Sequence, residues 1–94
     1  MIPVFKPSVT EAEIDAVTEV LRSGWWGLGP KTKEFEQRFA EYVGAPHAVG
    51  LNSCTAALEL SLLLAGVAGG EVITTPFTFV STNHMILHQG GTPV

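Results

Sequence analysis

The sequence predicts an α/β fold with a mainly parallel sheet, and three observations carry that prediction. From residue 47 onward, short apolar and β-branched runs alternate with helical runs. Each pair of strand-like runs is separated by enough chain for a helical crossover, which parallel strands require and hairpins do not. Glycine, proline, asparagine and serine mark the joints between the runs, where turns are expected. Over the whole chain the predicted order is α-α-β-α-β-α-β.

The first helix is predicted over 11–23. Thr10 and Glu13 form a T-x-x-E capping box, and Ile14, Val17 and Leu21 recur at three and four residues, the period of one helix face. Gly24 is its natural stop. The loop SGWWGLGP then leads to Pro30, suited to the first helical position because its missing N–H is not needed there. Phe35, Phe39, Tyr42 and Val43 line one face of the second helix, and Gly44 ends it.

The second half opens with HAVGL, residues 47–51, predicted as the first strand. NSCTAALELSLLLAG follows as a helix with so few polar positions that near-complete burial is expected. EVITT is a β-branched strand ended by Pro76, FVSTNHMILHQ is a further helix, and GGTPV opens a third strand. No repeat or low-complexity tract is present. The domain reading is one partial domain over 1–94: an N-terminal helical segment at 1–46, then the start of an α/β domain at 47–94. A chain whose last residues open a strand reads as the front part of something longer.

Composition excludes several function classes. Five Lys plus Arg against nine Asp plus Glu give a net charge of -4, which argues against nucleic-acid binding because phosphate contacts need clustered basic residues. With 46% apolar and 15% charged residues, the chain is too hydrophobic for intrinsic disorder. Its longest apolar run, 56–68, is broken by Glu59 and Ser61 and falls short of the ~20 residues a membrane span needs. The N-terminal stretch MIPVFKPSVTEAE has no secretory pattern, so a cytoplasmic location is expected. One cysteine excludes an internal disulfide.

The segment Leu51-Asn52-Ser53-Cys54-Thr55-Ala56-Ala57 places small and hydroxyl residues where the end of a strand becomes a helix N-terminus. Free N–H groups and the helix dipole make such a turn an anion site, and ligands of open α/β sheets favour the carboxyl ends of strands. The plainer alternative is that Asn52 or Ser53 simply caps the helix. No G-x-G-x-x-G follows a strand and no G-x-x-x-x-G-K-[ST] occurs, which disfavours dinucleotides and triphosphates.

Taken in order, the blocks G-P-x-x-x-x-F-E, H-A-V, N-S-C-T-A-A-L, T-P-F-T-F-V-S-T and G-G-T-P-V make the chain resemble the N-terminal region of the DegT/StrS family, PLP-dependent sugar aminotransferases of fold type I. The resemblance implies the N-terminal part of that fold's large domain, apparently truncated. It assigns Cys54 and Thr55 to the phosphate of pyridoxal 5'-phosphate, with Ser53 beside them. Phe79 would stack on the pyridine ring, with Phe77 as a packing residue. Trp25 and Trp26 fall in the loop at the active-site mouth and would contact substrate, a structural hinge being the alternative. The same resemblance implies a homodimer, an amino-acid donor such as glutamate, and the keto sugar of a nucleotide-sugar as acceptor. A sugar dehydratase of the same family and a noncatalytic interaction module are the other readings.

Departures from the family pattern are informative. Cys54 stands where the family usually has glycine, which is expected to restrict the turn; as a side chain it reads as a small buried hydrophobe and not as a nucleophile. The family's Schiff-base lysine and its acid partner come after this region, and none of Lys6, Lys31 and Lys33 corresponds to that lysine. No catalytic residue is therefore assigned. His84 and His88 have metal-ligand spacing without an evident third ligand, so no metal is assigned. Glu11, Glu13, Asp15 and Glu19 are expected to face solvent. Because fold-type I sheets seat the first strand beside the last, 47–51 would lack its neighbours here.

Overall fold

A computed structural model describes residues 2, 3 and 5–94. The chain divides into two compact units, Met1–Gly50 and Leu51–Val94.

The first unit is helical. α1, Glu11–Ser23, begins where the Thr10 backbone N–H donates to the Glu13 carboxylate at 2.6 Å. The Thr10 hydroxyl donates to the same oxygen. α1 ends at Gly24, whose φ of 75° is left-handed. α2, Pro30–Val43, has proline at its first turn and closes on Gly44 at φ 69°. Both boundaries match the sequence signals because each signal acts within one turn of chain. Along α2, Arg38 pairs with Glu34 at 2.8 Å and the Phe35 and Phe39 rings meet at a centroid distance of 5.9 Å.

The bonds from Thr10, its hydroxyl first, hold the Glu13 carboxyl below its ordinary value of 4.5. A carboxylate depressed by folding supports the fold above its unfolded pKa, and that support disappears as pH falls through the depressed value. An NMR titration of Glu13 is therefore expected to give a midpoint below 4.5 that rises in Thr10→Ala. A midpoint unchanged by that substitution would show that the Thr10 hydroxyl does not hold the carboxylate.

The second unit carries the sheet. α3 spans Cys54–Ala65, β1 Glu71–Val72, α4 Ser81–His88 and β2 Thr92–Pro93. β1 and β2 are parallel, with Glu71 opposite Thr92 and Val72 opposite Pro93. Bonds from Thr92 N to Gly70 O (2.8 Å), Val94 N to Val72 O (2.9 Å) and Thr74 N to Val94 O (2.9 Å) extend the pairing on both sides. α4 is the crossover, packed against both α3 and β2, with Ile86 only 2% exposed. The return from α4 needs Gly91, where a Cβ would lie 3.1 Å from Ile86 Cγ2 and 3.2 Å from the Val67 carbonyl.

Three sequence expectations are corrected. Residues 47–51 form no strand among the described residues, since a strand exists only through a ladder partner and this stretch has none. Gly50 instead donates its N–H to Glu36 Oε1 at 2.7 Å. The α3 helix is not buried: Leu60, Leu63 and Leu64 are exposed, Leu64 at 88%. Its apolar composition calls for covering surface that these residues do not supply. Phe77, expected to pack, is 98% exposed.

Candidate functional site

Ser53 is the N-cap of α3, with extended backbone (φ -158°, ψ 153°) and a hydroxyl that accepts from Ala56 N at 3.1 Å. The next main-chain bond runs from Ala57 N to Ser53 O at 3.2 Å. The cap thus engages the third helical N–H and leaves the first two, those of Cys54 and Thr55, without an acceptor among the described residues. A helix always leaves its leading N–H groups unpaired internally; here they point the same way along the axis as the positive end of the dipole. The Thr55 hydroxyl has no hydrogen-bond partner among the described residues either. Two backbone donors and one hydroxyl on a single turn form a donor set for a phosphate-sized anion.

Cys54 does not restrict this turn. It is the first residue of the helix, and no residue other than glycine has positive φ among those described, so a Cβ is accommodated without strain. Cys54 is exposed, which corrects the expectation of a buried hydrophobe.

Downstream of β1 the chain enters a hydroxyl-rich bend. Thr74 Oγ1 donates to Asn83 Oδ1 at 2.8 Å, Asn83 Nδ2 donates to the Thr75 carbonyl at 3.4 Å, and Phe77 N donates to Thr75 Oγ1 at 3.1 Å. Asn83 sits on α4, so these bonds tie the bend to the crossover helix. Thr78 and Thr82 hydroxyls lie 3.2 Å apart. The bend holds the Phe79 ring 76% exposed at the carboxyl end of β1, available to a planar ligand. Asn83 was not singled out from the sequence; its signal is an amide one turn into a helix that follows a Thr-Thr-Pro strand end.

In the first unit the loop after α1 places Trp25 and Trp26 on a cleft of about 270 Å³ lined also by Val20, Gly29, Lys31 and Thr32. Trp26 Nε1 donates to the Leu21 carbonyl at 3.0 Å, satisfying an orphan acceptor at the end of α1. Trp25 N donates to Ser23 Oγ at 3.2 Å. Lys31 spans the cleft rim to Glu19 at 3.9 Å and Glu34 at 3.8 Å. Of the two spaced histidines, His88 Nδ1 meets Glu59 Oε1 at 3.2 Å, an oxygen shared with Gln89, while His84 is exposed.

Residues 7–94 match the model of the DegT/DnrJ/EryC1/StrS aminotransferase family. The chain belongs to that family. The spore coat polysaccharide biosynthesis protein SpsC of Bacillus subtilis is 53% identical over 99% of this chain and 24% of its own length. The UDP-4-amino-4-deoxy-L-arabinose–oxoglutarate aminotransferase of Shewanella sediminis is 47% identical over the same shares. Among solved structures, Spr1654 of Streptococcus pneumoniae in its PLP form is 50% identical with a TM-score of 0.87, covering 99% of this chain and 24% of that one. Aminotransferase TlmJ of Streptoalloteichus hindustanus is 44% identical with a TM-score of 0.83, covering 100% and 26%. This DegT/DnrJ/EryC1/StrS segment spans about a quarter of the length of the curated relatives it matches. Its neighbours include both the PLP and the PMP forms of Spr1654, so the fold it shares is one that carries this cofactor. Among its described residues no helix is long and apolar enough to cross a membrane.

Proposed function

We propose that this chain is the N-terminal part of a PLP-dependent aminotransferase that moves an amino group from an amino acid to the keto sugar of a nucleotide-sugar. The observation that carries the reading is the donor set at the start of α3, where Ser53 caps Ala56 N and leaves the Cys54 and Thr55 N–H groups and the Thr55 hydroxyl for an anion. The name of the Shewanella relative supports the substrate class, since it couples a UDP-linked amino sugar to oxoglutarate, the keto acid left when glutamate gives up its amine.

When bound, PLP supplies an aldehyde and an electron-withdrawing ring, the chemistry that makes an amino group transferable. The chain's own residues bind and orient. Cys54 and Thr55 hold the phosphate end by backbone N–H and hydroxyl donation, and Ser53 fixes the turn that aims them. Phe79 covers one face of the ring, and the Asn83 bonds to Thr74 and Thr75 keep the bend that carries it from opening. Trp25 and Trp26 contact the sugar at the mouth. Lys6, Lys31 and Lys33 take no part in the chemistry: Lys31 is tied to glutamates, and the Schiff-base lysine belongs to the remainder of the enzyme. A cytoplasmic homodimer completes the reading. The chain contributes cofactor and substrate contacts and no group that moves a proton.

The test is turnover by the full-length protein loaded with PLP and supplied with glutamate and a UDP-linked keto sugar. Oxoglutarate and amino sugar are expected in equal amounts. Loss of water from the sugar without oxoglutarate would instead assign the dehydratase activity, and turnover of neither kind would overturn the reading.

A further inference from the structure

We infer that Glu59 is a positioning residue for the cofactor, directing α3 relative to α4 so that the phosphate turn and Phe79 stand at the spacing one bound PLP requires. The second unit, Leu51–Val94, contains no Lys or Arg and two acids, Glu59 and Glu71. Nothing in the proposed chemistry uses either. Glu71 is exposed, whereas Glu59, in the middle of α3, is half-buried. Its Oε1 pairs with His88 Nδ1 at 3.2 Å and accepts from Gln89 Nε2 at 3.4 Å, both at the end of α4. No other side-chain bond joins α3 to α4 among the described residues.

The two helices feed the same end of the sheet, since α3 leads into β1, α4 leads into β2, and β1 and β2 are parallel. Their exits are pinned to each other by the main chain: Gly69 N donates to Gly90 O at 2.8 Å, and a Cβ on Gly91 would lie 3.2 Å from the Val67 carbonyl. Glu59 adds a second attachment, from within α3 to His88 and Gln89, the residues just before Gly90. Two attachments define the direction of α3 where one would leave a pivot. The donors of Cys54 and Thr55 move with α3, about 7.5 Å along its axis from Glu59. Phe79 moves with α4, because its carbonyl accepts from Thr82 N at 3.1 Å in the first turn. A ligand held at its phosphate by one helix and at its ring by the other has a fixed covalent span, so its affinity depends on how the helices are directed. Apolar burial, as at Ile86, is non-directional, whereas bonds to one carboxylate oxygen have a preferred geometry. The inference rests on the assignment of the α3 turn and Phe79 to the phosphate and ring of PLP.

The experiment uses full-length enzyme and four variants, with PLP affinity by absorbance titration, the visible circular dichroism of bound PLP, and the thermal midpoint. Glu59→Ala is expected to weaken PLP roughly five-fold, about 1 kcal/mol, and to reduce the dichroism that a ring shows when it is held in one orientation. Glu59→Gln keeps an acceptor oxygen for both donors and should restore both readings to near wild type. Ser61 is exposed and its hydroxyl bonds back to Ala57 O within α3. Ser61→Gly, which destabilises the same helix without touching α4, should lower the thermal midpoint and leave PLP affinity and dichroism unchanged. Thr55→Ala reports on the underlying assignment. If Thr55→Ala weakens PLP and Glu59→Ala does not, the positioning role is overturned and the phosphate assignment stands. If neither does, both are overturned. Loss of PLP in Ser61→Gly in proportion to its thermal midpoint would show that Glu59 acts through stability alone and would overturn the positioning role.

Discussion

Purified by itself at rising concentration, the 94-residue chain is expected to self-associate or to lack a cooperative melt. Its accessible surface is 8077 Å². A compact 10.0 kDa domain exposes about 5,200 Å², and even two separate half-size units would expose only about 6,300 Å². The excess is apolar in kind: Leu63, Leu64, Ile73, Phe77, Trp26 and Tyr42 are all exposed, Ile73 at 91%. Ala40 and Ile86 are the buried apolar residues among those described, too small a core to offset an ordering entropy of ~1.5 kcal/mol per residue. The two-residue strands β1 and β2 also leave open edges that invite pairing with another chain. Light scattering at several concentrations, read together with circular dichroism melts, checks this. A monomer with a cooperative, concentration-independent transition would sink the prediction.

The contrast between legible and illegible features follows the range of the forces involved. The limits of α1 and α2 could be read because Thr10 with Glu13, Gly24, Pro30 and Gly44 each act within one turn of backbone. The Ser53 cap of α3, the plainer reading of that turn, was legible for the same reason: a bond from Ala56 N to the Ser53 hydroxyl needs only local geometry. The strand at 47–51 was not, because HAVGL has strand composition but strand structure comes from a neighbour that composition cannot supply. Burial of α3 failed likewise: CTAALELSLLLA records that the helix suits an apolar setting and says nothing about which residues provide it. Phe77 and Phe79 differ by two positions and belong to one motif, and their exposures of 98% and 76% are set by tertiary surroundings that the motif does not encode. Glu36 was visible only as the end of a block. Its partner Gly50 lies fourteen residues away, at a spacing no helix or hairpin rule connects.

Replacing Thr55 by Ala in the full-length enzyme is expected to weaken PLP by about 1–3 kcal/mol, roughly five- to 140-fold in Kd. The hydroxyl is half-buried at the second position of α3 and has no partner among the described residues, so its loss leaves no internal acceptor or donor stranded and stability should change little. Ser53→Ala provides the opposite case. The Ser53 hydroxyl already accepts from Ala56 N at 3.1 Å, so its removal costs the helix a cap worth ~1 kcal/mol and should lower the thermal midpoint first. Phosphate contacts to charged oxygen are stronger than neutral ones, which is why the cofactor titration, and not the melt, should separate the two variants most. Thr55→Ser keeps the hydroxyl and is expected to bind PLP within a few-fold of wild type. If Thr55→Ala instead melts early with cofactor affinity intact, the hydroxyl serves the helix and the phosphate is held elsewhere.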